Sequence, residues 1–134
     1  MKIAILGYGT IGSGVAEVLR INQEQIMKKV GEPVELKYVL DRRTDIGEDN
    51  DKLVADFSVI ENDPEVKLVV ETMGGIHPAY EFVKACLEKG KHCVTSNKAL
   101  VDAVGSKLIS IAREHHCNFY FEASVGGGIP VIRT

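Results

Sequence analysis

No apolar run in this chain approaches the ~20 residues that a membrane-spanning helix needs. Nor is there a basic excess. Sixteen Lys and Arg stand against nineteen Asp and Glu, for a formal net charge of -3. So balanced a chain has no field to draw nucleic acid or an anionic membrane surface. Cysteine is scarce. Cys86, Cys93 and Cys117 lie far apart and form neither a CxxC pair nor a metal-ligand spacing. They read as reduced thiols of a cytoplasmic protein. Low-complexity stretches and internal repeats are absent. The opening Met1-Lys2-Ile3-Ala4-Ile5-Leu6-Gly7 is broken by glycine too soon for a signal peptide.

What is present is a pattern. The 134 residues, 45% hydrophobic and 26% charged, suffice for one domain with its own core. Short β-branched runs alternate with amphipathic segments. Lys2 to Leu6 reads as a first strand. Ile11 to Lys29 reads as one helix, carried by Ile11, Val15, Val18, Leu19, Ile26 and Val30, and stopped at Gly31-Glu32-Pro33. Val34 to Leu40 is a second strand. Arg42 to Asp51 is a charged loop, too polar for burial. Phe57 to Ile60 reads as a short third strand and Lys67 to Glu71 as a fourth, whose run Leu68-Val69-Val70 suits a strand covered on both faces. Pro78 opens a helix with Ala79, Phe82, Val83, Cys86 and Leu87 on one face, and Gly90 closes it. His92 to Thr95, a helix through Val101, Leu108 and Ala112, and a strand at Phe119 to Glu122 complete the series. This alternation predicts an α/β fold with a doubly wound parallel sheet of about six strands. Ligand loops would then gather at the carboxyl ends of the strands.

Gly7-Tyr8-Gly9-Thr10-Ile11-Gly12 fits G-x-G-x-x-G. It follows a predicted strand and opens a predicted helix, the context of a Rossmann-type dinucleotide fingerprint. Gly7 permits the tight turn, Gly9 lets backbone approach a pyrophosphate, and Gly12 lets helix and strand pack closely. The helix N-terminus at Thr10 and Ile11 supplies free N–H groups and a favourable dipole. Asp41 follows the second strand, further on than the usual ~20 residues because the first helix is long. Its carboxylate can accept from the ribose 2′-OH of NAD. Arg42 and Arg43 follow at once and can instead hold the 2′-phosphate of NADP, or remain solvated loop charges. These readings stay open.

Two further loops lie at strand ends. Glu71-Thr72-Met73-Gly74-Gly75 places glycines where backbone can come close to a ligand, or simply forms a flexible turn. Thr95-Ser96-Asn97-Lys98-Ala99 offers Ser96 or Asn97 as a helix cap. Lys98 then stands in a first turn, where a cation opposes the dipole by roughly 0.3–1 kcal/mol. Its presence points to an electrostatic or proton-handling role at a reacting oxygen, against the plain alternative of a solvated lysine. After the sixth strand, Glu122 and the glycine-rich backbone through Ile129 bring several oxygens together. They suit a hard cation or a hinge between domains. His115 and His116 sit at a helix C-terminus, Cys86 on an apolar face, and His77 at the ligand end without a catalytic assignment.

Gly7 to Val15, Glu71 to Gly75, Thr95 to Leu100 and Glu122 to Pro130, in this order and spacing, resemble homoserine dehydrogenase over essentially the whole chain. The resemblance implies reversible NAD(P)-dependent oxidation of L-homoserine to L-aspartate 4-semialdehyde, on the route to threonine and methionine. It implies a cofactor site at Gly7, Gly9, Thr10, Ile11, Gly12, Asp41, Arg42, Arg43, Met73, Gly74, Thr95, Ser96 and Lys98, with Lys98 also catalytic. It implies a monovalent cation (Na+) at Glu122, Val125, Gly127 and Ile129. Many relatives carry arginine where Asp41 stands, with an acid just after. The reversed order here favours NAD and leaves NADP open.

Pro130 opens what reads as a new helix four residues before the sequence stops. The expectation is therefore a cofactor-binding fragment, 1–134, whose following substrate and dimerisation domain holds the principal acid/base lysine. The full enzyme is then a homo-oligomer, and the fragment binds cofactor with little turnover. A non-enzymatic nucleotide-sensing module would need only the phosphate loop and ribose contact, and gives no reason for Lys98 or the Glu122 loop. Another amino-acid-related NAD(P) dehydrogenase is set apart only by the resemblance.

Overall fold

A computed structural model describes residues 1–122. The chain runs β1 (Lys2–Leu6), α1 (Thr10–Ile21), α2 (Gln23–Val30), β2 (Glu35–Leu40), a 3-10 helix (Gly47–Lys52), β3 (Leu53–Val54) and α3 (Ser58–Glu61). It continues through β4 (Val66–Glu71), α4 (Ala79–Glu88), β5 (His92–Thr95), α5 (Lys98–Glu114) and β6 (Phe119–Phe121). The six strands pair in parallel in the order β3-β2-β1-β4-β5-β6. This is the doubly wound Rossmann arrangement.

The alternation of side chains explains the layers. Ile3 and Ile5 of β1 join Leu68 and Val70 of β4 against Val15, Ala16, Leu19 and Ile26 of α1 and α2. Ala4 and Leu6 face the opposite way, with Val69, onto Val83 and Leu87 of α4 and Leu108 of α5. Strands sandwiched between two helix layers need apolar residues at consecutive positions, which is why β4 reads Leu-Val-Val. Cys86, Cys93 and Cys117 are unpaired and buried in the α4–α5 layer.

Three expectations are corrected. The helix predicted over 11–29 is two helices, parted at Asn22 (φ -106, ψ 28). Asn22 stands as the N-cap of α2 without a side-chain capping bond. Ladder bonds persist on either side, from Asn22 N–H to Val18 O and from Ile26 N–H to Asn22 O. Both pieces bury residues on one sheet face, which kept the apolar spacing regular across the break. The third strand is Leu53–Val54, paired with Val39 and Leu40, and not Phe57 to Ile60. Phe57 stacks on Phe82 with ring centroids 4.2 Å apart, and Ile60, three residues on, is fully buried. That spacing is helical, as α3 is. Finally, the charged stretch 42–51 contains a 3-10 helix, and its Asp49 is only 3% exposed.

From β1 the sheet grows one way through β2 and β3 and the other way through β4, β5 and β6. The reversal between β1 and β4 opens a crevice at their carboxyl ends, where such sheets bind ligands.

Candidate cofactor site

Two close contacts set the phosphate loop. Gly7 leaves β1 with φ +91, a backbone that side chains rarely adopt, and its N–H donates to Leu40 O at 2.8 Å. Gly12 packs so tightly that a Cβ there would lie 2.2 Å from the Gly7 carbonyl oxygen. Thr72, just past β4, braces the same turn. Its N–H donates to Leu6 O at 2.9 Å, and its hydroxyl lies 2.9 Å from Gly7 O. Helix α1 then begins with Gly9 at its N-cap, no capping side chain and no acidic residue in its first turn. The N–H groups of Thr10, Ile11 and Gly12 open the helix without partners inside it. A Cβ on Gly9 would meet nothing within 4 Å, so the space over this positive end is open. These features fit a dinucleotide pyrophosphate.

A cavity of about 610 Å³ lies over the crevice, within the roughly 300–1,000 Å³ typical of small-molecule sites. It brings together Gly7, Gly9, Asp41, Arg42, Arg43, Met73 and Gly74, with an apolar wall from Leu40, Phe57 and Phe82. Thr10, Ile11 and Gly12 stand behind the loop in α1. A second groove of about 450 Å³, under α1 and α2, contains none of the sequence-predicted residues.

Asp41 caps this corner. One carboxylate oxygen accepts from the Tyr8 N–H at 2.9 Å, and the other accepts from the Arg43 N–H at 2.9 Å and from Arg43 Nε at 3.0 Å. The Arg43 guanidinium, more than any other group, holds the Asp41 carboxyl well below the usual range. The same guanidinium donates to the Tyr8 carbonyl, folding Arg43 back across the loop. Arg42 is exposed beside it. Below, the Tyr8 hydroxyl donates to the buried Asp49, which also faces Arg20 at 3.4 Å and Lys52 at 3.6 Å. Burial, then the Asp49 hydrogen bond, pushes the Tyr8 phenol up to about 12.

At the β4 and β5 ends, Asn97, one of the two caps the sequence offers, caps α5 by accepting from the Leu100 N–H at 3.1 Å. Lys98 is exposed, and its Nζ donates to Asp102, one turn on, at 2.7 Å. The Thr95 side chain is buried beneath the crevice, where its hydroxyl donates to Glu71 at 2.5 Å, while Ser96 is half-buried. His77 lines the cavity, with Nδ1 2.9 Å from Glu81 Oε2. Glu122 is exposed and its N–H donates to Thr95 O at 2.9 Å. Val125, Gly127 and Ile129, the other expected cation ligands, lie outside the described residues. Among the described residues no three His, Cys, Asp or Glu side chains gather as a metal site. Sequence reasoning gave no role to Glu71 or Thr72. The signal for Glu71 was a carboxylate placed directly after the apolar run Leu68-Val69-Val70.

Residues 7–122 match the family described as homoserine dehydrogenase, NAD binding domain. The chain belongs to this family. It is 37% identical to the homoserine dehydrogenase of Bacillus subtilis over all of this chain and 32% of that protein. It is 39% identical to that of Pseudomonas aeruginosa, again over all of this chain and 31% of the relative. The crystal structure of the Staphylococcus aureus homoserine dehydrogenase superposes with a TM-score of 0.84 at 34% identity, covering 92% of this chain and 32% of that one. A hyperthermophilic archaeal homoserine dehydrogenase mutant in complex with NADPH shares the fold, with a TM-score of 0.74 at 22% identity. The chain thus spans about a third of the length of the Bacillus, Pseudomonas and Staphylococcus enzymes and corresponds to the family's NAD-binding domain. Among the described residues no helix is long and apolar enough to cross a membrane.

Proposed function

We propose that this chain holds NAD(P) across the β1–β4 crevice of a homoserine dehydrogenase, for the interconversion of L-homoserine and L-aspartate 4-semialdehyde. The observation that carries the reading is the Gly7–Gly12 contact beneath an uncapped α1, in a domain of this family. The backbone of residues 9–12 would hold the pyrophosphate. Asp41 would accept from the adenosine ribose, with Arg42 and Arg43 at hand for a 2′-phosphate. Met73, Gly74 and Ser96 would line the nicotinamide half. When bound, NAD(P) supplies the hydride chemistry, and the protein orients and polarises.

Lys98 would steady charge on the reacting oxygen. Its exposed pair with Asp102 is worth only about 0.3–0.5 kcal/mol, so leaving it costs little. A sodium ion at Glu122 and the backbone beyond, a homo-oligomeric full-length enzyme and a cytoplasmic setting follow from the family resemblance and stand as parts of the same proposal. The resemblance places the principal acid/base lysine outside this chain, so the chain alone is expected to bind cofactor with little turnover.

Calorimetric titration with NAD+ and NADP+, repeated on Asp41→Ala, tests this. NAD+ binding lost selectively in the variant supports Asp41 as the ribose ligand. Tighter NADP+ binding kept by the variant assigns the preference to the arginines. Binding of neither by the wild-type chain sinks the cofactor reading.

A further inference from the structure

Glu71 ends β4 with no exposed surface, on a strand whose neighbours are apolar. Taking a carboxylate from water is costly unless each oxygen finds a donor. Both do here. Oε1 accepts from the Thr95 hydroxyl at 2.5 Å, and Oε2 from the Met73 N–H at 2.6 Å. The contacts continue beyond these two. Thr95 Oγ1 accepts from the Asn97 N–H at 2.9 Å, and the Glu71 carbonyl accepts from the Ser96 N–H at 3.2 Å. The Asn97 amide donates to the Gly75 carbonyl while its oxygen caps α5. One buried carboxylate therefore ties the 73–75 loop after β4 to the 95–97 turn after β5, and through Asn97 sets the start of the helix that Lys98 opens.

Glu71 reaches neither the cavity nor solvent, so it touches no ligand itself. The loops it joins lie on the β4–β5 side of the switch point. In this fold the adenosine half lies over the first βαβ unit and the nicotinamide half over the second. We infer that Glu71 is a positioning residue for the nicotinamide half of the cofactor, acting through Thr95 and Met73. The inference rests on the cofactor reading of the same crevice.

The test compares the reduced dinucleotide that the wild type binds more tightly, NADH or NADPH, with its matching ADP-ribose or 2′-phospho-ADP-ribose half. The chains are wild type, Glu71→Gln, Thr95→Val and Thr95→Ser. Gln keeps the shape but replaces an acceptor with a donor. Val removes the hydroxyl at constant volume, and Ser restores it. Glu71→Gln and Thr95→Val are expected to bind the dinucleotide at least tenfold more weakly, keep the ADP-ribose half within twofold, and lose the nicotinamide fluorescence change on binding. Thr95→Ser should stay close to wild type. Equal losses for both ligands, or no loss for either, overturn the inference. If Glu71→Gln fails to fold, the Thr95→Val and Thr95→Ser pair decides on the same criteria. A wild type that binds none of the four ligands overturns the cofactor reading, and this inference with it.

Discussion

A methyl group on Gly12 would sit 2.2 Å from the carbonyl oxygen of Gly7, while one on Gly9 would meet nothing. Two glycines of one motif thus have separable duties. Gly12→Ala must push backbone apart, and overpacking of this kind costs roughly 1–3 kcal/mol. Gly9 has φ -80, which alanine adopts, so Gly9→Ala is expected to lose no more than about 1 kcal/mol as an N-cap. Its methyl would instead occupy the space over the helix start. Urea denaturation should show a lowered midpoint for Gly12→Ala and a near-normal one for Gly9→Ala. Calorimetry should show both weakened at least tenfold toward NAD(P). Unimpaired cofactor binding by Gly9→Ala would contradict the assignment of that space to the pyrophosphate.

The phenol of Tyr8 anchors the loop that carries Asp41. Tyr8→Phe leaves the buried Asp49 carboxylate with only Arg20 and Lys52, both beyond 3.3 Å. An underbonded buried acceptor costs roughly 1–3 kcal/mol. The phenol pKa is raised from 10.0 to about 12, so the folded state keeps its proton longer than the unfolded chain does. The stabilisation is fully present below pH 10 and is lost as pH rises toward 12. Ultraviolet titration of the wild type should show a phenol ionising near pH 12 that vanishes in Tyr8→Phe. Equal stabilities for the two proteins would show that the Asp49 contact holds nothing together.

This pair also shows where local sequence stops informing. The phosphate loop, five of the six strands and a helix cap at Ser96 or Asn97 were legible, because alternation, glycine spacing and capping chemistry are properties of neighbours in sequence. Burial of Asp49 was not. A charged run reads as solvated until Tyr8 and Arg20, brought by distant elements, surround one member of it. The Leu53–Val54 strand has only two residues, too few to show a period. The break at Asn22 was masked because both helices keep their apolar positions on one sheet face. Glu71, at the end of the fourth strand, and Thr72 beside it carried no assigned role. Their partners, Thr95 in one case and Gly7 in the other, become visible only once β4 lies between β1 and β5.

At the opposite end of the sheet, Asp63 precedes β4 and accepts from Lys37 Nζ at 2.5 Å, the Tyr38 hydroxyl at 2.6 Å and the Glu65 N–H at 2.9 Å. The Lys37 contact, more than the others, lowers its carboxyl from 3.8 to about 2. Because the folded value lies below the unfolded one, the stabilisation is present above pH 3.8 and is lost as pH falls toward 2. Asp63→Asn removes the charge and keeps an acceptor for Tyr38. The expected loss near neutral pH is about 1.5 kcal/mol, at the low end for a hydrogen bond to a charged group because Lys37 is partly in water. Other carboxylates titrate in the same window, so the measurement is the difference between wild-type and variant stability across pH 2 to 7. That difference should shrink toward zero as the pH falls. Cofactor affinity should be unchanged at neutral pH, since the crevice lies at the carboxyl ends of the strands and Asp63 at an amino end. A parallel loss of affinity would mean that the two ends of the sheet are coupled, and that the crevice is not held by its local contacts alone.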